Sequence, residues 1–385
     1  YDQKSYFIDL FKYLKKINKD KKITRVAYFS VPPSVFENII ENLALVRDSE
    51  KDDLRLVIEK PFGYNEKSAD KLFHVLNGNF MEDQVYLLDH YLGKKTIQSI
   101  LKLRMENNVI NLMLKGSEIA NIQITAFEKA DVGKRVGYFD QVGIMKDMIQ
   151  SHLLQVLALI TMEIPLIPGI DSLQREKNNI LSAMSFSESE EDVVFGQYKS
   201  YLETEGVEKN SLTDTFCALK LFIDRRNWFN VPIYLRSGKK LSESKTMVVI
   251  EFKKMPYQSI SAEANRLIFE LKPEEKLKLK LVQDRSDSIG LVASSLETVD
   301  LVQSLQCDGD NCLSEYGSLI LDILVGKKIN FLSIEEILAS WRVIDSVEAV
   351  AKSLKIKPEI YEDSGKGPDR ALHLPKRDGF SWYEA

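Results

Sequence analysis

Glycine is scarce in this chain: 18 of 385 residues, below the roughly 7% average. No G-x-G-x-x-G occurs, so the turn that cradles a dinucleotide pyrophosphate is not in the sequence. Cysteine is scarcer still, with only Cys217, Cys307 and Cys312. An odd, sparse count without zinc-like pairing excludes a disulfide framework and fits a reducing cytoplasm. No apolar run approaches the ~18 residues of a membrane span, which points to a soluble chain without membrane partners. Charge of one sign is lacking too. The 52 basic and 57 acidic residues are interspersed and leave a net of −5, which gives no broad footprint for nucleic acid. What is present is core-forming: 44% hydrophobic and 9% aromatic residues exclude disorder, and the length predicts about two domains at roughly 150 residues each. The chain opens on Tyr1, and no signal peptide follows. An amphipathic pattern over 5–19 (Phe7, Leu10, Phe11, Leu14, Ile17) begins in mid-stride, as in a fragment. If a dinucleotide is used, its phosphate loop is expected outside this sequence.

Three short β-rich runs, ITRVAYFSV (23–31), LRLVIEK (54–60) and QVYLLDH (84–90), alternate with helical patterns at 35–46 and 68–76. That alternation predicts βα units and a parallel sheet, the second half of a doubly wound domain. From about residue 115 the strand candidates 121–129, 215–223, 247–252, 267–271 and 276–282 lack regular crossover helices. Lys and Leu alternate over 276–281, one face buried and one wet. The stretch 143–162 reads as a helix apolar nearly all round, hence buried, and helices at 316–326 and 334–354 complete an α+β domain. The expected fold class is therefore α/β plus α+β. A partial Rossmann-like nucleotide-binding domain (1–92) precedes a domain with a large, mostly antiparallel sheet (93–385). The acidic run SESEED (187–192) is expected as a solvated loop.

Four histidines allow each to be weighed. His74 lies on an ordinary amphipathic helix and His373 in a basic tail segment; both read as structural or surface residues. His152 shares an oily helix with Asp147, Gln150 and Ser151. Buried polar groups must find partners, so it is either a satisfied core histidine or a base in a cleft. His90 follows Asp89 in DHYLGK (89–94), where a predicted strand runs out, the end of a parallel sheet at which ligands bind. Neighbours on an extended segment point to opposite sides, and His90, Tyr91 and Lys94 offer donors suited to a phosphate; a capped helix start would use the same residues. EKPFG (59–63) ends another strand, its proline restraining Lys60 to an extended conformation; the X-Pro bond admits a cis form, and a simple turn is the alternative. RSGKK (236–240) reads as a basic loop, a phosphate or sugar contact or a solvated turn. CDGDNC (307–312), with two cysteines and no histidine partner, reads as a loop, and no metal site is expected.

Taken in order, EKPFG (59–63), DHYLGK (89–94), GYFDQVGIMKDMIQSHLLQVL (137–157), FGQY (195–198), DTFCALKLFIDRRNWFNVPIYLRSGK (214–239) and YGSLILDILVGKKINF (316–331), with Trp341 after it, resemble the glucose-6-phosphate dehydrogenase family. Coverage runs from about residue 24 to the C-terminus. The resemblance implies oxidation of β-D-glucose 6-phosphate at C1 to 6-phosphoglucono-δ-lactone, the first step of the pentose phosphate pathway, with hydride passing to NADP (NAD not excluded). It implies His152 as the base for the C1 hydroxyl and Asp89 as the carboxylate that orients it. His90, Tyr91 and Lys94 match the groups on the 6-phosphate, and Lys60 the lysine near the reacting hydroxyl and the nicotinamide. Pro61 matches the hinge proline beside it, Glu128 and Asp147 carboxylates on sugar hydroxyls, and Lys239 a lysine reaching the substrate. On the cofactor side Tyr28, in the YFSVPP run, stands with Lys60 and Pro61. The family also implies a homodimer or dimer of dimers in the cytoplasm. Two departures touch the sugar contacts: Ser244 where some members carry arginine, and Lys272 in place of a glutamine before Pro273. Both argue against a second, structural NADP.

Two competing readings remain at this stage. One is a nicotinamide-dependent oxidoreductase of unphosphorylated sugars, which the DHYLGK cluster argues against. The other is a sugar-phosphate-binding and dimerisation module: alone, the 385-residue chain is expected to oxidise nothing measurable while binding glucose 6-phosphate weakly.

Overall fold

The early β-rich runs do form one parallel sheet. In a computed structural model that describes residues 3–18, 23–47, 53–167, 169–256, 263–284, 296–304 and 314–384, strands β1 (Thr24–Phe29), β2 (Asp53–Glu59) and β3 (Val85–Leu88) lie in the order β1-β2-β3. Helix α1 (Lys4–Asn18) comes first, α2 (Phe36–Val46) links β1 to β2, and α3 (Glu66–Asn79) links β2 to β3. The sequence sets these ends locally. Asn65 accepts from Ser68 N–H while Ser68 Oγ accepts from Asn65 N–H, a reciprocal cap that starts α3 directly after the EKPFG turn. Side chains alternate across β2: Leu54, Leu56 and Ile58 join the main core with α2 and α3, while Val57 faces the opposite side.

The remaining chain builds a mixed ten-stranded sheet. Helices α4 (Lys95–Glu106) and α5 (Asn108–Met113) lead into β4 (Ile119–Phe127). After it come α6 (Val136–Ile144), a π-helical segment Met145–Leu153, α7 (Leu154–Thr161) and α8 (Ile170–Leu181). Then follow β5 (Met184–Phe186), β6 (Val193–Tyr198), β7 (Phe216–Ile223), β8 (Ile233–Gly238), β9 (Lys245–Phe252), β10 (Arg266–Lys272), β11 (Lys276–Asp284) and β12 (Leu296–Ser304). Next come α9 (Glu315–Val325), α10 (Ile334–Ser353) and β13 (Glu359–Tyr361), followed by a short helix α11 (Asp369–His373). The order is β12-β11-β10-β9-β4-β8-β7-β6-β13, with β5 on β7; among the described residues only β4–β8 and β6–β13 pair in parallel.

The expected oily rod is the spine of this domain: every residue of α7 is buried, each Leu or Ile contributing roughly 1.5–3 kcal/mol. A downstream helix returns to the first sheet. Leu319 and Ile323 of α9, with Phe331, bury Val57, Tyr86 and Leu88, covering the second face as a parallel sheet requires. Helix α10 also grips the EKPFG turn, Trp341 Nε1 donating to Phe62 O at 3.0 Å and Asp345 accepting Glu66 N–H at 2.9 Å. A buried ion pair, Lys177–Glu336 at 2.8 Å, joins α8 to α10.

One local reading needs correction, and a second, the solvated acidic run, holds except at its last residue. RSGKK is no solvated turn: Arg236–Gly238 finish the interior strand β8, and Arg236 and Lys239 are each 1% exposed. The Arg236 guanidinium lies 4.0 Å from the Trp382 ring centroid and 4.8 Å from that of Phe127, which is how the arginine becomes core. In the acidic run 187–192, Asp192 is buried and bonded to Ser187 and Arg377. His74 and His373 are exposed, and CDGDNC lies outside the described residues.

Candidate active site

Helix α6 breaks at Gly143 (φ 72°, ψ 169°), and the spine restarts as the π-helical segment. Bonds in a π-helix run over five residues; Leu154 N–H accordingly donates to Ile149 O, and Ser151 Oγ–H to Lys146 O. That register matters for the chemistry. At 100° per residue in an α-helix, Asp147 and His152 would lie about 140° apart. One wider turn brings both to one side, where Lys60 and Lys239 meet them.

Asp89, at the end of β3, is fully buried. Its Oδ1 accepts Tyr91 N–H at 2.9 Å, starting a short 3₁₀ turn His90–Gly93, and lies 2.8 Å from His152 Nδ1. Its Oδ2 lies 2.7 Å from Lys60 Nζ, which also donates to Ser151 O at 2.5 Å. The peptide bond Lys60–Pro61 is cis. Around the imidazole, Tyr91 stacks at 4.1 Å and 16°, and His90 meets it edge-on at 4.8 Å. Lys94 Nζ sits 4.1 Å from the Tyr91 ring centroid.

Burial would raise the Asp89 carboxyl, but the charges and hydrogen bonds of His152 and Lys60 overturn that and hold it well below its usual range. Burial, helped by the Lys60 and His90 charges, lowers the His152 imidazole to about 4 although Asp89 pulls upward. Lys60 is lowered by burial against the pull of Asp89, and His90 by burial with Lys60 and Lys94 beside it. His152 is thus a neutral ring at ordinary pH. Its Nδ1 lies 2.8 Å from the Asp89 carboxylate and 3.2 Å from Lys60 Nζ; the nearer, ionised carboxylate favours the tautomer with the proton on Nδ1, which leaves Nε2 as the proton acceptor.

A second cluster adjoins this one. Lys239 Nζ lies 2.5 Å from Glu128 Oε2 and 3.9 Å from Asp147 Oδ2. Burial raises Glu128, but Lys239, then Arg135 and Lys272, bring it below its usual range. The Tyr91 hydroxyl feels the Glu128 charge, while Asp147 acts on Lys60, so the clusters share one electrostatic environment. Ser244 Oγ accepts Lys129 N–H at 3.0 Å, turned to backbone beside Glu128.

Asp89, His90 and His152 each present a ligand atom within 4.8 Å of the others, a spacing that could hold a metal ion. The Lys60 ammonium, bonded to Asp89, already supplies a cation there. Beside Lys60 and Pro61 a cleft of about 1240 Å³ opens, lined also by Pro33, Ser34, Gln150 and Ser151. It lies past the carboxyl ends of β1 and β2, where a nucleotide fits an open α/β sheet; Tyr28, near the end of β1, bonds Glu59 through its hydroxyl.

A family model described as "Glucose-6-phosphate dehydrogenase, C-terminal domain" matches residues 101–383, and one described as "Glucose-6-phosphate dehydrogenase, NAD binding domain" matches residues 1–99. The chain belongs to the glucose-6-phosphate dehydrogenase family. Glucose-6-phosphate 1-dehydrogenase of Ceratitis capitata is 32% identical over 100% of this chain and 75% of its own length. That of Chlamydia pneumoniae is 34% identical over 93% and 74%. A solved glucose-6-phosphate dehydrogenase in complex with its substrate glucose-6-phosphate superposes with a TM-score of 0.89 at 29% identity, covering 100% of this chain and 81% of that one. The NAD binding domain makes the cofactor class a pyridine nucleotide. Among the described residues no helix is long and apolar enough to cross a membrane.

The structure brings Asp89, His90, Tyr91, Lys94, Lys60 and His152 into one cluster and Glu128, Asp147 and Lys239 into the adjoining one, while Pro61 lines the cleft and Tyr28 meets Glu59. Sequence reasoning missed four others. Thr246 lies beside the Tyr91 hydroxyl; Tyr316 stacks 6.5 Å from His90 at 9° and lies beside Glu59; Glu59 accepts the Tyr28 hydroxyl; and Asp214 accepts Met145 N–H at 2.8 Å. Tyr316 and Glu59 did lie inside quoted motifs, whereas the short side chain of Thr246 carries no chemical signal of its own.

Proposed function

We propose that the chain oxidises β-D-glucose 6-phosphate at C1 to 6-phosphoglucono-δ-lactone, with His152 as the base. The observation that carries this reading is the buried Asp89–His152 contact at 2.8 Å, one residue from His90 and a short turn from Lys94. Nε2 of the neutral imidazole takes the C1 hydroxyl proton, and the ionised Asp89 stabilises the imidazolium that forms. Lys60, anchored on Asp89 and Ser151 O, is set to hold the hydroxyl oxygen as its charge develops. His90 and Lys94 supply the phosphate contacts, with Tyr91 as the platform under His152 and Lys94. Glu128, Asp147 and Lys239 take sugar hydroxyls; holding the hexose in one orientation is worth several kcal/mol, up to about 7–11 in the best cases. A bound pyridine nucleotide, held by Tyr28, Lys60 and Pro61, supplies the hydride acceptor; NADP is the family's default choice.

Replacing His152 by Asn in the enzyme should cut turnover by about 10²–10⁴, the usual range for a general base, with little change in the Michaelis constant for glucose 6-phosphate. Near-normal turnover would defeat the assignment. We further infer a cytoplasmic homodimer or dimer of dimers assembled through the large sheet; sedimentation as a monomer at micromolar concentration would count against that assembly.

A further inference from the structure

We propose that Asp214 is a positioning residue for the base: it pins the first turn of the Met145–Leu153 segment and thereby sets the register that brings Asp147 and His152 to one side. The inference rests on the reading of His152 as base. Where α6 breaks, the next turn begins with amide groups that have no helical partner. Asp214 takes two of them, Ile144 N–H on its carbonyl at 2.8 Å and Met145 N–H on Oδ2 at 2.8 Å. A Cβ at position 143 would sit 2.1 Å from Asp214 Oδ1, so the glycine makes room for the carboxylate as well as the positive φ. Asp214 comes from the loop entering β7, and it ties the catalytic segment to the sheet at the opposite end from His152.

The anchor titrates in a useful range. Burial pushes the Asp214 carboxyl up to about 7; the Met145 N–H, its own amide and the Lys146 ammonium pull it down, and Glu348 pushes it up. Lys146 and Glu348 are themselves paired at 2.8 Å, and Tyr201, Cys217 and Tyr361 also feel the Asp214 charge. The ionised form is the stronger acceptor and suits the start of a helix, so the anchor tightens as pH rises through neutrality.

The test compares Asp214→Ala and Asp214→Asn with wild type, measuring turnover and the Michaelis constant for glucose 6-phosphate from about pH 6 to 9, across the ionisation range of the anchor. Asp214→Ala should lose turnover about 10²-fold, the cost of displacing a reacting group by about 1 Å. Its Michaelis constant should move less than about threefold, because His90 and Lys94 lie on another segment. Asp214→Asn keeps an acceptor oxygen without the charge. It should match wild type near pH 6 and lack the rise in turnover that wild type makes through about 7. Turnover of Asp214→Ala within about twofold of wild type at every pH, or a wild-type pH profile in Asp214→Asn, would overturn the proposal. A silent Asp214→Ala beside an inactive His152→Asn removes this inference alone, whereas an active His152→Asn removes the base assignment itself.

Discussion

Asp89→Asn separates shape from charge at the centre of the site. Asparagine fills the same volume, so no cavity opens, yet it removes the negative charge that both His152 and Lys60 contact at 2.8 and 2.7 Å. Losing one member of a buried ion pair costs about 3–5 kcal/mol. Because burial already lowers Lys60, the ammonium can shed its proton, and the stability loss should fall toward the lower end of that range. The effect on chemistry should be larger. An amide NH₂ facing Nδ1 favours the tautomer with its proton on Nε2, the wrong nitrogen for a base; the equivalent change in a Ser-His-Asp triad costs about 10⁴ in turnover. The expected loss here is about 10³–10⁴, or roughly 4–5 kcal/mol of barrier. Initial rates of nucleotide reduction at saturating glucose 6-phosphate measure it, and calorimetric titration of glucose 6-phosphate reads binding separately. The dissociation constant should change only a few-fold, since His90 and Lys94 are untouched. Turnover within about tenfold of wild type would refute the claim that Asp89 sets the His152 tautomer.

Two further outcomes follow from burial elsewhere. His152 is lowered from 6.5 to about 4 in the folded chain, so the unfolded chain binds more protons between those values. Stability should therefore rise with pH across that window and owe nothing further to His152 above it; denaturant midpoints measured across the window check this, and His152→Gln should flatten the rise. Lys177→Met strands Glu336, whose carboxyl burial already raises, and should cost about 3–5 kcal/mol of unfolding free energy. Adding Glu336→Leu should recover most of that loss, and failure to recover would mean the pair contributes more than its own desolvation.

Elements with a strong period were legible in the sequence. The Phe36, Ile39, Ile40, Leu43 stripe of α2 and the Lys–Leu alternation of β11 are local signals, and both elements form as expected. Strand β8 was less so, because its RSGKK end has no apolar residue; Arg236 is buried only through Phe127 and Trp382, partners far along the chain. Nor does any periodicity announce that α9 crosses back to cover Val57 and Tyr86. Its exposed Ile320, Leu321, Leu324 and Val325 make the helix apolar on more than one side, so its pattern does not single out the sheet-facing stripe.

The candidate site was legible as a set of groups and illegible as a set of pairs. A histidine among Ile, Met and Leu signals a partner, since an unpaired buried polar group costs several kcal/mol at most reference states, but the spacing to Asp147 argues against a shared face in an α-helix. The π register removes that objection, and it needs a cause that ordinary helix propensity does not supply. Gly143 permits the break and Asp214 fills it; both stand inside quoted motifs, but a glycine offers a hexose no side chain, and nothing in the sequence says that the aspartate turns to backbone amides of a distant segment. The side chains that do chemistry are therefore readable from their types, while the geometry that makes them a site depends on backbone amides and on one carboxylate that never meets the substrate.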